Sequence, residues 1–272
     1  VTEERYARHL GLFGAEGQEK IAAASVAVIG LGGLGSHLVQ QLAYLGVRQF
    51  HLIDGDCVEE TNLNRLIGAG ETDLGLTKVE VAERLIAQIC PDPQVSGEAH
   101  HFDPAAISSG LERVGFLFGC VDQDPVRADL VSFTSTNRIP YLDLASDVME
   151  DGAFGGRLVF AAEGKRCLSC LGELDQHALA RAQMSDSQRS ADDSIYGIDR
   201  GALDVSGPSV VSVNGAIASL AVTEFMVWAT GLREPRGYIT YRGDLPSVGI
   251  RSDPPERGYC QYCMDLWGSP TS

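Results

Sequence analysis

Val26-Ala-Val-Ile29, then Gly30-Leu-Gly-Gly-Leu-Gly35, then Leu38, Val39, Leu42 and Leu45 up to Gly46, is the stretch that decides the fold. Four apolar residues in a row read as a short buried strand. The leucines and valine that follow recur at helical spacing. Gly30, Gly32 and Gly35 stand between the two as G-x-G-x-x-G. Glycines at such a turn let backbone approach a phosphate, and the N-terminus of the following helix adds its partial positive charge. Gln49 to Ile53 is a second strand, ending at Asp54-Gly-Asp56, where Asp54 is placed to accept hydrogen bonds from ribose hydroxyls.

Outward from this unit, strand and helix keep alternating. Thr2-Glu-Glu marks a helix start, and the helix runs to about Ala24. Lys78 to Ile89 is an amphipathic helix, Val114 to Val121 a strand, Pro125 to Asn137 a helix and Pro140 to Leu144 a strand. This order predicts an α/β fold: a Rossmann-like, doubly wound, mainly parallel sheet with helices on both faces. After about Gly155 the character changes. Arg157 to Ala162 is a strand in a hairpin region, and 175–207 is a long polar segment. Pro208 opens a helix to about Thr230, and Gly237 to Tyr241 and Ser247 to Ile250 are strands. Two regions are therefore expected, 1–155 for nucleotide binding and 156–272 as a C-terminal antiparallel extension.

The 272 residues carry 37 acidic against 21 basic side chains, a net charge of -16 with no basic run, so neither nucleic acid nor a membrane surface is an expected partner. The apolar stretch from Gly215 to Trp228 is interrupted by Thr223 and Glu224 and is short for a bilayer span. The chain begins at Val1 with no signal-peptide pattern, and a cytoplasmic location is the expectation.

Seven cysteines, an odd number, argue against a disulfide framework. Cys167-Leu-Ser-Cys170 and Cys260-Gln-Tyr-Cys263 form two C-x-x-C pairs that fit a tetrathiolate zinc site. Four protein ligands leave no open position, so the zinc would be structural and would tie the chain's end to the domain. Cys57, Cys90 and Cys120 stand alone. From the residues themselves the glycine loop calls for an adenosine nucleotide, and NAD and ATP both remain open. No G-x-x-x-x-G-K-[ST], G-x-S-x-G or H-E-x-x-H occurs, which removes the P-loop and the commonest hydrolase signatures.

Arg5-Tyr-Ala-Arg8, Gly17-Gln18-Glu19, Val28 to Gly35, Asp54-Gly-Asp56, Thr61-Asn-Leu-Asn-Arg65, Gly75-Leu-Thr-Lys78 and Val121-Asp122 follow one another in that order. Together with the paired C-x-x-C they resemble the ThiF/MoeB/HesA family, relatives of ubiquitin-activating enzymes, from about Glu3 to Cys263. The resemblance implies an ATP-dependent adenylyltransferase acting on the C-terminal glycine carboxylate of a ubiquitin-like or sulfur-carrier protein. Such a carboxylate is already ionised, so the chemistry needs alignment and fixed cations rather than a general base.

By resemblance, Asp54 would hold the ribose, and Gly33 would let the chain pass close to the phosphates. Asn62, Arg65 and Lys78 would contact the phosphates, Asp122 would bind magnesium, and Asp56 would support the turn or the metal. Arg8 would reach into a partner subunit's site, which implies a homodimer. Arg127 falls where the family often has an arginine. Two departures stand out. Segment 175–207, expected to cross over the carrier's tail, contains no cysteine, which favours an enzyme that stops at the acyl adenylate and leaves the product to a sulfurtransferase or conjugating enzyme. Leu66 stands where the family commonly has glutamine. The alternatives are the same chemistry on a peptide or transfer RNA acceptor, a non-catalytic scaffold of the same fold, and an NAD-dependent dehydrogenase.

Overall fold

The computed structural model describes residues 4–107, 110–148, 152–185, 209–251, 260 and 262. β1 (Ser25–Ile29) is followed directly by α2 (Gly33–Leu45) and β2 (Gln49–Ile53), as the opening stretch predicts. α2 stops where Gly46 adopts a left-handed conformation, φ 108°, that a side chain would resist. α3 (Lys78–Ile89) begins with a capping box, the Thr77 hydroxyl accepting from the Glu80 N–H and the Glu80 carboxylate accepting from the Thr77 N–H. β3 (Gln94–Glu98), β4 (Phe116–Gly119), α4 (Asp124–Asn137), β5 (Tyr141–Val148) and β6 (Phe154–Ala161) follow. Two short helices, α5 (Leu168–Leu171) and α6 (Gln176–Ala182), precede the long α7 (Val211–Thr230), and β7 (Tyr238–Arg242) and β8 (Ser247–Ile250) end the described fold.

The eight strands form one sheet in the order β3-β2-β1-β4-β5-β6-β7-β8. β1 to β5 are mutually parallel and β6, β7 and β8 antiparallel, so residues on both sides of position 155 build the same sheet. The chain moves outward from β1 to β2 and β3, then returns to place β4 on β1's other side. That reversal opens a crevice at the C-terminal ends of β1 and β4, where such sheets bind ligands.

Alternate strand residues face opposite cores. Val28, Leu52, Phe118 and Leu142 pack towards α2, α3 and α7, whereas Ile29, Leu117, Tyr141 and Val159 pack towards α4 and α5. Phe116 anchors α7 to the first face, its ring 5.2 Å from Phe225 in an edge-on contact.

Three expectations change. α1 (Ala7–Ala23) begins after Tyr6, which makes no side-chain cap, and it is broken at Gly14 with φ 69°; the acidic start at Thr2 and Glu3 lies outside the described residues. α7 starts at Val211, and Pro208 also lies outside them. At 20 residues and mean hydropathy 1.4, α7 is long and apolar enough by length and composition to cross a bilayer, contrary to the shorter stretch read from sequence. In this fold Ile217, Ala218, Ala221 and Phe225 of α7 are fully buried among the other apolar side chains of the core.

Candidate nucleotide site and cysteine cluster

The four glycines of the loop answer to different neighbours. Gly30 has φ 90°, and a Cβ there would lie 2.7 Å from the Cys120 carbonyl oxygen. At Gly35 a Cβ would run into the Gly30 carbonyl, so these two glycines seat the helix on the strands. Gly32 faces open space, with nothing within 4 Å of where its Cβ would be. Gly33, the first residue of α2, lies against the Asn214 amide, with the Arg65 Cδ 3.4 Å from the same point.

Asp54 follows β2 directly and is buried at 9% exposure. Its Oδ2 accepts from the Leu31 N–H at 2.6 Å and its Oδ1 from the Asp56 N–H at 2.8 Å. The carboxylate therefore shapes the glycine loop itself. Each oxygen retains a second lone pair with which it could take a ribose hydroxyl. Asp56 pairs with Lys78, whose Nζ lies 2.6 Å from Oδ2. Lys78 is the first residue of α3, where the helix dipole disfavours a cation, and its side chain is only 11% exposed. Asp56 supplies the anion that keeps it there, and the phosphates of a nucleotide are further anions that such a cation could meet.

The backbone from Asp56 to Val58 runs beside Gly75 to Lys78, closing the loop that carries Asn62 and Arg65. Asn62 caps a short turn, its Oδ1 accepting from the Glu59 N–H at 3.2 Å. Arg65 donates to the Thr61 carbonyl at 2.5 Å and to Asn64 Oδ1 at 3.2 Å, lying beside Gly33. Leu66 is buried with Val58 and Val81, which gives this chain a packing reason for an apolar residue there. Ser36 of α2 accepts from the Ile67 N–H at 3.1 Å and so fastens the loop to the helix. Asp122 lies three residues beyond the end of β4 and is exposed, two residues after the Cys120 carbonyl that approaches Gly30. It does not cap α4, whose N-cap is Gln123.

Arg8 is not brought to this site within the chain. It is exposed in the first turn of α1, beside Tyr6, whose ring would lie 3.1 Å from a Cβ at Gly46. Gly46 is at the far end of α2 from Gly33, and 13 helical residues span about 20 Å. The Gly17-Gln18-Glu19 motif also finds a structural role, Gln18 being buried and donating to the Leu45 carbonyl at 3.0 Å.

Behind the crevice lies a charged network of which the sequence reading named only Arg127. Asp143 of β5 is fully buried and accepts from Arg157 at 2.5 Å and from the Tyr141 hydroxyl at 2.9 Å. Arg127 of α4 sits 3.5 Å from Asp143 Oδ1 and bonds Asp124 at 2.6 Å. Arg157 continues to Glu173 at 2.9 Å, and Asp124 accepts from the Asp175 N–H at 2.7 Å. Burial, with Asp143 beside it, pushes the Tyr141 hydroxyl well above the usual tyrosine range. Burial alone would lower the Arg157 guanidinium, but Asp143 holds it above its ordinary value. The signal was available, because an aspartate inside Tyr-Leu-Asp-Leu of a core strand needs a cationic partner.

Cys167, Cys170 and Cys260 come together, with Cys167 Sγ 3.9 Å from each of the other two. Tetrahedral zinc with sulfur at about 2.3 Å places its ligands about 3.8 Å apart, so these thiols fit the metal. Cys263 lies outside the described residues. Burial pushes the thiols of Cys90 and Cys120 upward, away from nucleophilic use, whereas Cys57 is exposed beside the Asp56–Lys78 pair. Of the polar segment 175–207, α6 is helical and capped by Asp175, which accepts from the His177 N–H at 2.8 Å; 186–207 lies outside the described residues.

A glycine-loop α/β sheet with an acidic residue following β2 and cations beside the loop defines a nucleotide-binding domain of the Rossmann-like class. The chain belongs to the ThiF family, whose pattern matches residues 6–250. It is 35% identical over 173 residues to the molybdopterin-synthase adenylyltransferase of Salmonella typhimurium, covering 62% of this chain and 68% of that protein. A maize adenylyltransferase and sulfurtransferase, MOCS3-1, is 30% identical over 233 residues, 85% of this chain but 45% of its own length, so the chain spans under half of that relative. In fold it superposes on a crystal structure of Escherichia coli MccB with MccA-N7isoASN at TM-score 0.74 and 21% identity, covering 99% of this chain and 75% of that one.

Proposed function

We propose that the protein adenylates the C-terminal glycine carboxylate of a ubiquitin-like or sulfur-carrier protein. A carboxylate oxygen attacks the α-phosphorus of ATP, the bond to the bridging oxygen of the β-phosphate breaks, and pyrophosphate leaves with the electron pair. No proton moves, so the residues act by position and charge. The observation that carries the reading is Lys78, a nearly buried cation at a helix N-terminus, held by Asp56 and linked through Asp54 to the glycine loop. Arg65, lying over Gly33, would be the second cation against the phosphates. Asp54 would hold the ribose and Asn62 a phosphate oxygen. A magnesium ion, with Asp122 as its ligand, would neutralise charge on the departing pyrophosphate. Arg8 would be supplied by the second copy of a homodimer.

The supporting comparisons are the adenylyltransferases among its relatives. With no cysteine in 175–207, the acyl adenylate is the product handed to a sulfurtransferase or conjugating enzyme. The test is exchange of labelled pyrophosphate into ATP, dependent on an added carrier ending in glycine. Exchange that requires the carrier's free C-terminal carboxylate is the expected result; its absence across a panel of such carriers refutes the proposal.

A further inference from the structure

We propose that Asn214 is a positioning residue for the phosphate-binding turn, and that position 33 is glycine to accommodate it. The inference rests on the adenylation reading and names a residue that reading does not use. Asn214 lies in the first turns of α7 and is fully buried, so it cannot itself touch a nucleotide. Its amide nitrogen occupies the space a Cβ at Gly33 would need, well inside contact distance. The side chain is fixed at both ends: Oδ1 accepts from the Ser146 hydroxyl of β5 at 2.9 Å, and Nδ2 donates to the Ser209 hydroxyl at 3.0 Å.

The first turn of α2 is thereby clamped. Asn214 bears on Gly33, and Ser36, one turn on, ties the same turn to Ile67, two residues after Arg65. The N–H groups of that turn are the donors a phosphate would meet, and their direction follows from where the turn is held. A bare residue 33 has been explained by the approach of phosphate. The geometry gives it a different cause, because Gly32, not Gly33, is the glycine that faces open space.

A double-mutant cycle in the full chain separates the two causes. Gly33→Ala, Asn214→Ala and the double variant are compared with the unchanged protein for ATP affinity by calorimetric titration and for melting temperature. Gly33→Ala should weaken ATP binding at least about tenfold by forcing the turn away from Asn214. Asn214→Ala makes room for the new methyl, so the double variant should bind at least about threefold tighter than the product of the single effects, with coupling of the same sign in melting temperature. If the single effects on ATP affinity simply multiply, Gly33 answers to the nucleotide alone and the inference falls.

Ser146→Ala, which loosens the amide without removing it, guards against an Asn214 variant that does not fold. It should lower kcat of pyrophosphate exchange more than it raises KM for ATP, and an unchanged kcat overturns the positioning role. An unchanged protein that binds no ATP refutes the adenylation reading itself, a result distinct from a binding protein whose variants show no coupling.

Discussion

Asp143 and Arg157 meet diagonally across adjacent antiparallel strands, guanidinium to carboxylate at 2.5 Å, with the aspartate wholly buried and the arginine 13% exposed. The pair sits where the parallel half of the sheet meets the antiparallel half, since β5 pairs with parallel β4 on one side and antiparallel β6 on the other. Through Arg127 and Asp124 it reaches the start of α4, and through Glu173 it reaches the segment that follows the cysteine knuckle. One carboxylate thus holds together the element after Asp122 and the element after Cys170.

Removing that carboxylate leaves two nearly buried guanidinium groups without their central anion. Unpaired buried charge is far costlier than the net worth of the intact pair. Asp143→Ala should destabilise the chain by about 3–5 kcal/mol, measured as a fall in the denaturant midpoint at unchanged slope. A change below about 1 kcal/mol would mean that water reaches the arginines and that the network is not a structural tie.

The cysteine cluster makes a separate prediction. Purified protein should contain about one zinc per chain, and a strong chelator should remove it with a drop in melting temperature. Cys260→Ser should abolish stoichiometric zinc and reproduce that drop without chelator. Retained metal in the variant would exclude Cys260 from the ligand set.

The positions of α2, β2 and α3 were readable because each shows a clear period and a chemical stop, such as Gly46 or the Thr77–Glu80 box. β3 was not. Gln94-Val-Ser-Gly-Glu98 is an edge strand without alternating burial, so no pattern announces it. The cations of the site were legible as a series of motifs, but their supports were not. Asn214 and Asp143 are single polar residues inside apolar runs, and sequence alone does not say which distant chain segment satisfies them. The neighbour of Gly33 was hidden for the same reason, since Asn214, whose amide lies against it, is 181 positions further on.

Lys78 and Asp56 yield different predictions for the two partners of one ion pair. Lys78→Met removes the cation and should lower pyrophosphate exchange by at least about a hundredfold. Asp56→Asn leaves the lysine in place without its counter-ion, so nucleotide phosphates become its main anionic partner. That variant should keep ATP affinity within about threefold while losing resting stability, because a positive charge at a helix N-terminus is then unopposed. Equal loss of ATP binding in both variants would instead place Asp56 on the nucleotide or its metal.

Acid stability should report on the clasp that holds the Arg65 loop against α3. Arg84 donates to both oxygens of Asp73 at 2.7 and 2.8 Å and to the Gly68 carbonyl at 3.1 Å. The Arg84 hydrogen bonds, with the Gly70 N–H as a second donor, hold the Asp73 carboxyl below the usual aspartate range. A carboxyl whose pKa is lower folded than unfolded stabilises the protein above its unfolded value, about 3.9, and loses that contribution as pH falls through the folded value. Asp73→Asn should therefore melt below the unchanged protein at pH 7, and the gap should narrow from about pH 4 downward. Melting curves recorded from pH 7 to pH 3 measure it; a gap that stays constant across that range would show that the clasp acts by shape and not by charge.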